Sequence, residues 1–90
     1  LLGKKVEVLG GAVSHQVDQT ETISYRLGTD ATEVFISVIN ESGNIVKTVT
    51  VREPQKQGSH QVLWDGKDNN GNAVPPGTYG YAGAYKDRAG

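Results

Sequence analysis

Residues 34–51 constrain the fold of this chain more than any other stretch. Val34, Phe35, Ile36, Ser37, Val38 and Ile39 form an almost unbroken run of β-branched and aromatic residues. Side chains alternate across a strand, so Val34, Ile36 and Val38 share one face while Phe35, Ser37 and Ile39 share the other. Asn40-Glu41-Ser42-Gly43-Asn44 follows as a turn cluster, with Gly43 free to take a positive φ. Residues 45–51 are again rich in Val and Thr, interrupted by Lys47. Two such runs joined by a short glycine-containing loop predict a β-hairpin. Its apolar face has to be covered by a second layer.

The rest of the chain repeats this pattern. Residues 22–27 alternate, placing Ile23, Tyr25 and Leu27 together, and residues 28–31 form a polar break. Pro54 lies in the polar loop 53–58, where its missing N–H harms no ladder. Residues 60–64 read as a strand with His60, Val62 and Trp64 on one face. Asp65-Gly66, Asn70-Gly71 and Pro75-Pro76-Gly77 punctuate the loop before a last strand at 78–85. There Tyr79, Tyr81 and Tyr85 share a face, and Gly80, Ala82 and Ala84 leave the other nearly flat. The 12 glycines exceed the usual share of about 7%, and they sit singly between apolar runs, as turns require. Residues 4–9 and 12–17 read as two further short strands around Gly10-Gly11. The polar stretch 18–21 places a boundary near residue 20. The expectation is all-β: an immunoglobulin or fibronectin type III-like β-sandwich over residues 21–90, preceded by an incomplete strand pair in residues 1–20. Trp64, Tyr25, Val34, Ile36, Val38 and Val62 are the expected core anchors. A lone strand pair is marginal in water, so residues 1–20 need partners elsewhere.

Composition narrows the function. A domain of 90 residues buries roughly 60–65% of the surface of its unfolded chain, which leaves little room for a deep catalytic cavity. The net charge of −1 supplies no field for nucleic acid or an anionic membrane, and neither is expected as a partner. No apolar run approaches the length of a membrane span. Cysteine is absent, which removes disulfide frameworks, thiolate metal sites and thiol catalysis together. With no methionine and Leu1 first, the chain reads as a piece of a longer one.

Candidate sites of chemistry dissolve on inspection. Residues 65–72 carry Asp65, Asp68, Asn69, Asn70 and Asn72, the oxygen donors that calcium takes. Counted from Asp68, however, the calcium-loop pattern puts Ala73 where glycine is required and Tyr79 where a bidentate Glu is required. Counted from Asp65, it puts Lys67 at a ligand position. The stretch therefore reads as a hydrogen-bonded turn, and no metal or cofactor is expected. His15 and His60 stand in no metal-binding spacing, and Ser14-His15 lacks the context of a nucleophile elbow. The glycines of 77–83 do not follow the dinucleotide pattern. The tyrosines are read as packing groups rather than a stacking platform. No catalytic residue is expected, and the chain is read as non-enzymatic.

The punctuation as a whole resembles a known family. Tyr25-x-Leu27, Ala31-x-x-Val34-x-Ile36-x-Val38-x-Asn40-x-x-Gly43-x-x-Val46, Gly58-x-His60-x-Val62-x-Trp64-Asp65-Gly66, Asp68-x-x-Gly71 and Pro76-x-x-Tyr79 are similar to the immunoglobulin-like domain of the flagellar hook-capping family. Gly3-Lys4-Lys5-Val6-x-Val8, Gly10 and Ala12-Val13-Ser14 resemble the start of that family's Tudor-like barrel. Asn40 stands where the family often has Asp. The resemblance implies a scaffold at the distal end of the growing bacterial flagellar hook. Such a scaffold is exported by the flagellar secretion apparatus, oligomerises with itself as a cap, and promotes incorporation of the hook subunit. It also implies that residues 1–20 are the opening strands of an incomplete Tudor-like domain. The competing reading is an accessory immunoglobulin-like module of a cell-surface, secreted or carbohydrate-active protein, which would have no reason to carry a Tudor-like lead-in. On either reading Phe35 and Ile39, opposite the core face of their strand, form a candidate protein-contact patch, unless a loop of the same domain covers them.

Overall fold

The computed structural model describes residues 4–88. Seven strands and no helix are found among them: β1 (Lys4–Val8), β2 (Ala12–His15), β3 (Glu21–Leu27), β4 (Glu33–Ile39), β5 (Ile45–Val51), β6 (Gly58–Trp64) and β7 (Gly77–Lys86). All pairings are antiparallel, in the order β5-β4-β7-β1-β3-β6, with β2 added to β7. The sheet curls into two layers, one of β5, β4, β7 and β2, the other of β3 and β6.

β1 joins the layers by dividing its hydrogen bonds. Lys4, Lys5 and Val6 pair with Tyr85, Ala84 and Gly83 of β7, whereas Glu7 and Val8 pair with Arg26 and Tyr25 of β3. Gly10 and Gly11 then turn at φ 87° and 66°, and β2 runs back along β7 from Gly80 to Gly77. The partners that two short N-terminal strands require are thus β7 and β3 of this same chain. A glycine makes the crossing fit. A Cβ on Gly83 would lie 2.9 Å from Val6 Cβ and 3.1 Å from Ile36 Cδ1, so β1 can cross β7 only where the inward position is empty.

Alternation sets the core. Val34, Ile36 and Val38 are fully buried, and Ile23, Tyr25 and Leu27 of the other layer are buried with them. Val6, Ala31, Trp64, Val74, Tyr79 and Tyr85 complete the cluster. Burying one Val, Leu or Ile contributes about 1.5–3 kcal/mol, so the six alternating residues of β3 and β4 supply a large share of the apolar burial between the layers. Val62 is half-buried and packs against the cluster from β6, which has only one strand neighbour.

Two strand ends differ by two residues from the sequence reading, and several others by one. β6 begins at Gly58 rather than residue 60, because Gly58 still pairs with Leu27. β2 stops at His15, where Gln19 N donates to Gln16 O at 3.2 Å and Asp18 takes a φ of 60°, a conformation that Asp tolerates better than most residues.

Candidate functional site

β4 is the middle strand of its layer, so its outer residues are shouldered from both sides. Phe35 lies opposite Thr50 of β5 and Ala84 of β7, and Ser37 lies opposite Thr48 and Ala82. A register shift after Val38 brings Ile39 opposite Ile45 on one side, with Gly80 on the other. Phe35 and Ile39 are both half-buried. The Lys86 ammonium sits 5.7 Å from the centre of the Phe35 ring. It also reaches Glu33 at 3.6 Å, while Arg52 meets the same carboxylate at 3.1 Å. The Phe35 end of the patch is therefore fringed by charge. The Ile39 end is more open, because Ile45 is 58% exposed. Ile45 was not singled out from sequence; the signal was the turn length that sets it beside Ile39. Between the two ends, about 13 Å apart along the strand, lie only Ser37, Thr48, Ala82 and Gly80. The surface between the two ends is made of small side chains.

Beneath the opposite layer edge lies a buried polar cluster that sequence reading did not assemble. His15 is fully buried, and its Nδ1–H donates to Glu21 Oε2 at 2.8 Å. The imidazole lies against Trp64, with ring centres 4.7 Å apart, and meets Tyr79 edge-on at 5.7 Å. Gly66, at φ +77°, lets the loop pass over it; a Cβ there would come within 2.8 Å of His15 Cε1. Trp64 Nε1–H donates to Lys67 O at 2.9 Å, which fastens the same loop. Burial, and then the charge of Glu21, push the Tyr81 hydroxyl up to about 12. His15 and Trp64 are 49 positions apart, so no local pattern reveals their contact. The inward phase of Val13 and His15 in an alternating strand was the one available hint. The cluster clamps the N-terminal segment onto β6; it offers no open face to a substrate.

Three side-chain oxygens of residues 65–72 accept from backbone N–H groups. Asp65 Oδ1 accepts from Lys67 N at 3.0 Å, and Asp68 Oδ1 accepts from Asn70 N and Asn72 N at 2.9 and 3.0 Å. Asn69 Oδ1 accepts from Thr48 N at 3.1 Å, while Asn69 N donates to Val46 O. The loop thereby closes the free edge of β5. No group of three or more His, Cys, Asp or Glu that could hold a metal occurs among the described residues.

The remaining anchors are placed as follows: Trp64, Tyr25, Val34, Ile36 and Val38 are 1% exposed or less, and Val62 is half-buried at their border. Phe35 and Ile39, the candidate contact residues, lie on the outer surface of β4 between β5 and β7.

Residues 10–88 match the family described as the FlgD Ig-like domain. Over 72 residues the chain is 32% identical to the basal-body rod modification protein FlgD of Salmonella typhimurium, covering 80% of this chain and 31% of that protein. It therefore spans about a third of the length of that relative. Among solved structures, a FlgD from Pseudomonas aeruginosa superposes with a TM-score of 0.77 at 32% identity, covering 92% of this chain and 64% of the other. A FlgD from Xanthomonas campestris, described in terms of hook capping essential for flagellar assembly, superposes with a TM-score of 0.79 at 27% identity, covering 99% and 63%.

Proposed function

The chain belongs to the FlgD Ig-like domain family, and from that premise we propose that it is a non-enzymatic module of a scaffold that caps the growing flagellar hook. The observation that carries this reading is the match over residues 10–88, joined to 32% identity with a rod modification protein. In this role the parent protein sits at the distal end of the hook, exported there by the flagellar secretion apparatus. It associates with further copies of itself and promotes incorporation of hook subunits. We read residues 1–20 as the lead-in from its Tudor-like domain, with β1 and β2 paired to β7 and β3 of the sandwich itself and the family match beginning at residue 10.

The physical requirements of such a role are modest. Contacts with incoming subunits must be reversible, which suits two small apolar clusters better than a large hydrophobic face. Phe35, Ile39 and Ile45 supply apolar contact, and the Glu33, Arg52 and Lys86 fringe supplies orientation rather than much affinity. No step in this role breaks a covalent bond. A pull-down of the full-length parent with the hook subunit tests the reading. Retention of the hook subunit supports it. Failure to retain it, with both proteins folded, removes it in favour of an accessory module of a surface protein.

A further inference from the structure

β1 and its neighbour β7 are not held alike. Lys4, Lys5 and Val6 are paired on one side only, to Tyr85, Ala84 and Gly83 of β7. Among the described residues no backbone bond reaches their other side. At the same height β7 is held twice. Its residues Gly83, Ala84, Tyr85 and Lys86 also pair with Ile36, Phe35, Val34 and Glu33 of β4. Thr32 N donates to Lys86 O at 2.7 Å, Thr32 Oγ1 donates to the same oxygen at 3.2 Å, and the Lys86 ammonium reaches Glu33 at 3.6 Å. β1 and β7 also have their free ends together. Lys4 lies opposite Tyr85 and bonds Asp87 at 2.8 Å across the mouth of the pair. The Lys4 side chain is largely exposed, so that bond adds little.

From this asymmetry we infer that β1 is a release strap: tension across Lys4 and Arg88 opens the fold by peeling β1 from β7, while β7 stays on β4. A load drawing Lys4 and Arg88 apart acts at the mouth of the pair. It falls on Lys4 and Tyr85, then on Lys5 and Ala84, then on Val6 and Gly83, and never on all of them together. Sliding the same strands lengthwise loads every pair at once. The peeling continues beyond the crossing. β1 runs on through Gly10 and Gly11 into β2, whose Ala12 pairs with Gly80, nearer the loaded end of β7 than His15 and its partner Gly77. β2 is therefore also met from its end. The consequence for the fold follows from the order of the sheet, in which strand pairing passes from β7 to β3 through β1 alone. With Val6 lifted off Gly83, side-chain packing and loops are what still hold the layer of β3 and β6 to the other. The inference depends on the pairing of β1, β4 and β7 and not on the hook-capping proposal.

Single-molecule pulling tests this with the direction of load as the variable. Handles at the two chain ends peel β1. A handle at the N-terminal end combined with one on Thr78→Cys, in a chain with no cysteine of its own, draws β1 and β7 lengthwise past each other. Thr78 is exposed and lies at the end of β7 remote from Tyr85. Because peeling breaks the pairs singly, opening at any common force is expected to be about tenfold or more faster in that geometry. Two substitutions locate the opening. Val6→Ala thins the buried anchor of the strap and lowers the peeling force. Thr32→Val removes the side-chain bond on the β4 side of β7 and leaves that force unchanged. Far-UV circular dichroism checks that each variant is folded at rest, and the comparison of the two geometries decides the matter even where Val6→Ala does not fold. Equal opening rates in the two geometries overturn the inference. So does a peeling force that a folded Val6→Ala leaves unchanged, or one that Thr32→Val lowers, which would set the opening between β7 and β4.

Discussion

Replacing Trp64 by Ala tests how the two layers are held. The ring is 1% exposed, lies against His15 at 4.7 Å and Tyr79 at 5.5 Å, and bonds Lys67 O through Nε1. Truncating a buried Trp costs about 3–5 kcal/mol, and the lost hydrogen bond adds about 1 kcal/mol. A chain of this length has a total stability of about 5–14 kcal/mol, so the variant forfeits a third or more of it. At about 4–8 °C per kcal/mol, melting falls by about 16–48 °C. Far-UV circular dichroism is the suitable probe, because the substitution removes the chain's one Trp. Trp64→Phe separates the two contributions: it retains a ring against His15 and loses the bond to Lys67 O, at an expected cost of about 1–2 kcal/mol. A Trp64→Ala variant that loses less than about 1 kcal/mol would refute the packing argument. A Phe variant as weak as the Ala variant would shift the weight from the ring to the loop.

Three further outcomes are expected. Phe35→Glu combined with Ile39→Lys leaves the isolated chain folded with nearly unchanged melting, while the full-length parent carrying both loses oligomerisation or fails to restore motility; unfolding of the isolated chain makes the patch core instead. Stability falls as pH rises from about 10 towards about 12, because burial raises Tyr25, Tyr79 and Tyr81 above the ordinary tyrosine value, Tyr81 to about 12. The unfolded chain releases those protons first and gains on the folded one across that window; a urea midpoint flat between pH 9.5 and 11.5 contradicts it. Millimolar calcium leaves the melting temperature within error, since Asp65 Oδ1 and Asp68 Oδ1 bond backbone N–H groups; an upward shift reversed by chelator overturns that reading.

What the sequence made legible was local. The hairpin of β4 and β5 follows from alternation and a glycine turn, and β3 and β7 from alternation alone, because those signals lie within a few residues of one another. The inward row Ile23, Tyr25 and Leu27 needs only period two to be seen. What stayed hidden depends on residues far apart in the chain. That β1 crosses between layers depends on the empty inward position of Gly83, 77 positions after Val6. The burial of His15 depends on Trp64 and on the passage of Gly66. Ile45 became part of the candidate site only through a shift of register after Val38, which side-chain alternation does not encode.

The central claim, that this module serves a scaffold needed to build the flagellar hook, meets its most direct test in electron microscopy of flagellar basal bodies. These are purified from cells lacking the parent gene and from the same cells carrying it on a plasmid. The account predicts basal bodies without hooks in the deletion strain, and hooks of ordinary length once the gene is returned. Hooks of ordinary number and length in the deletion strain would contradict it.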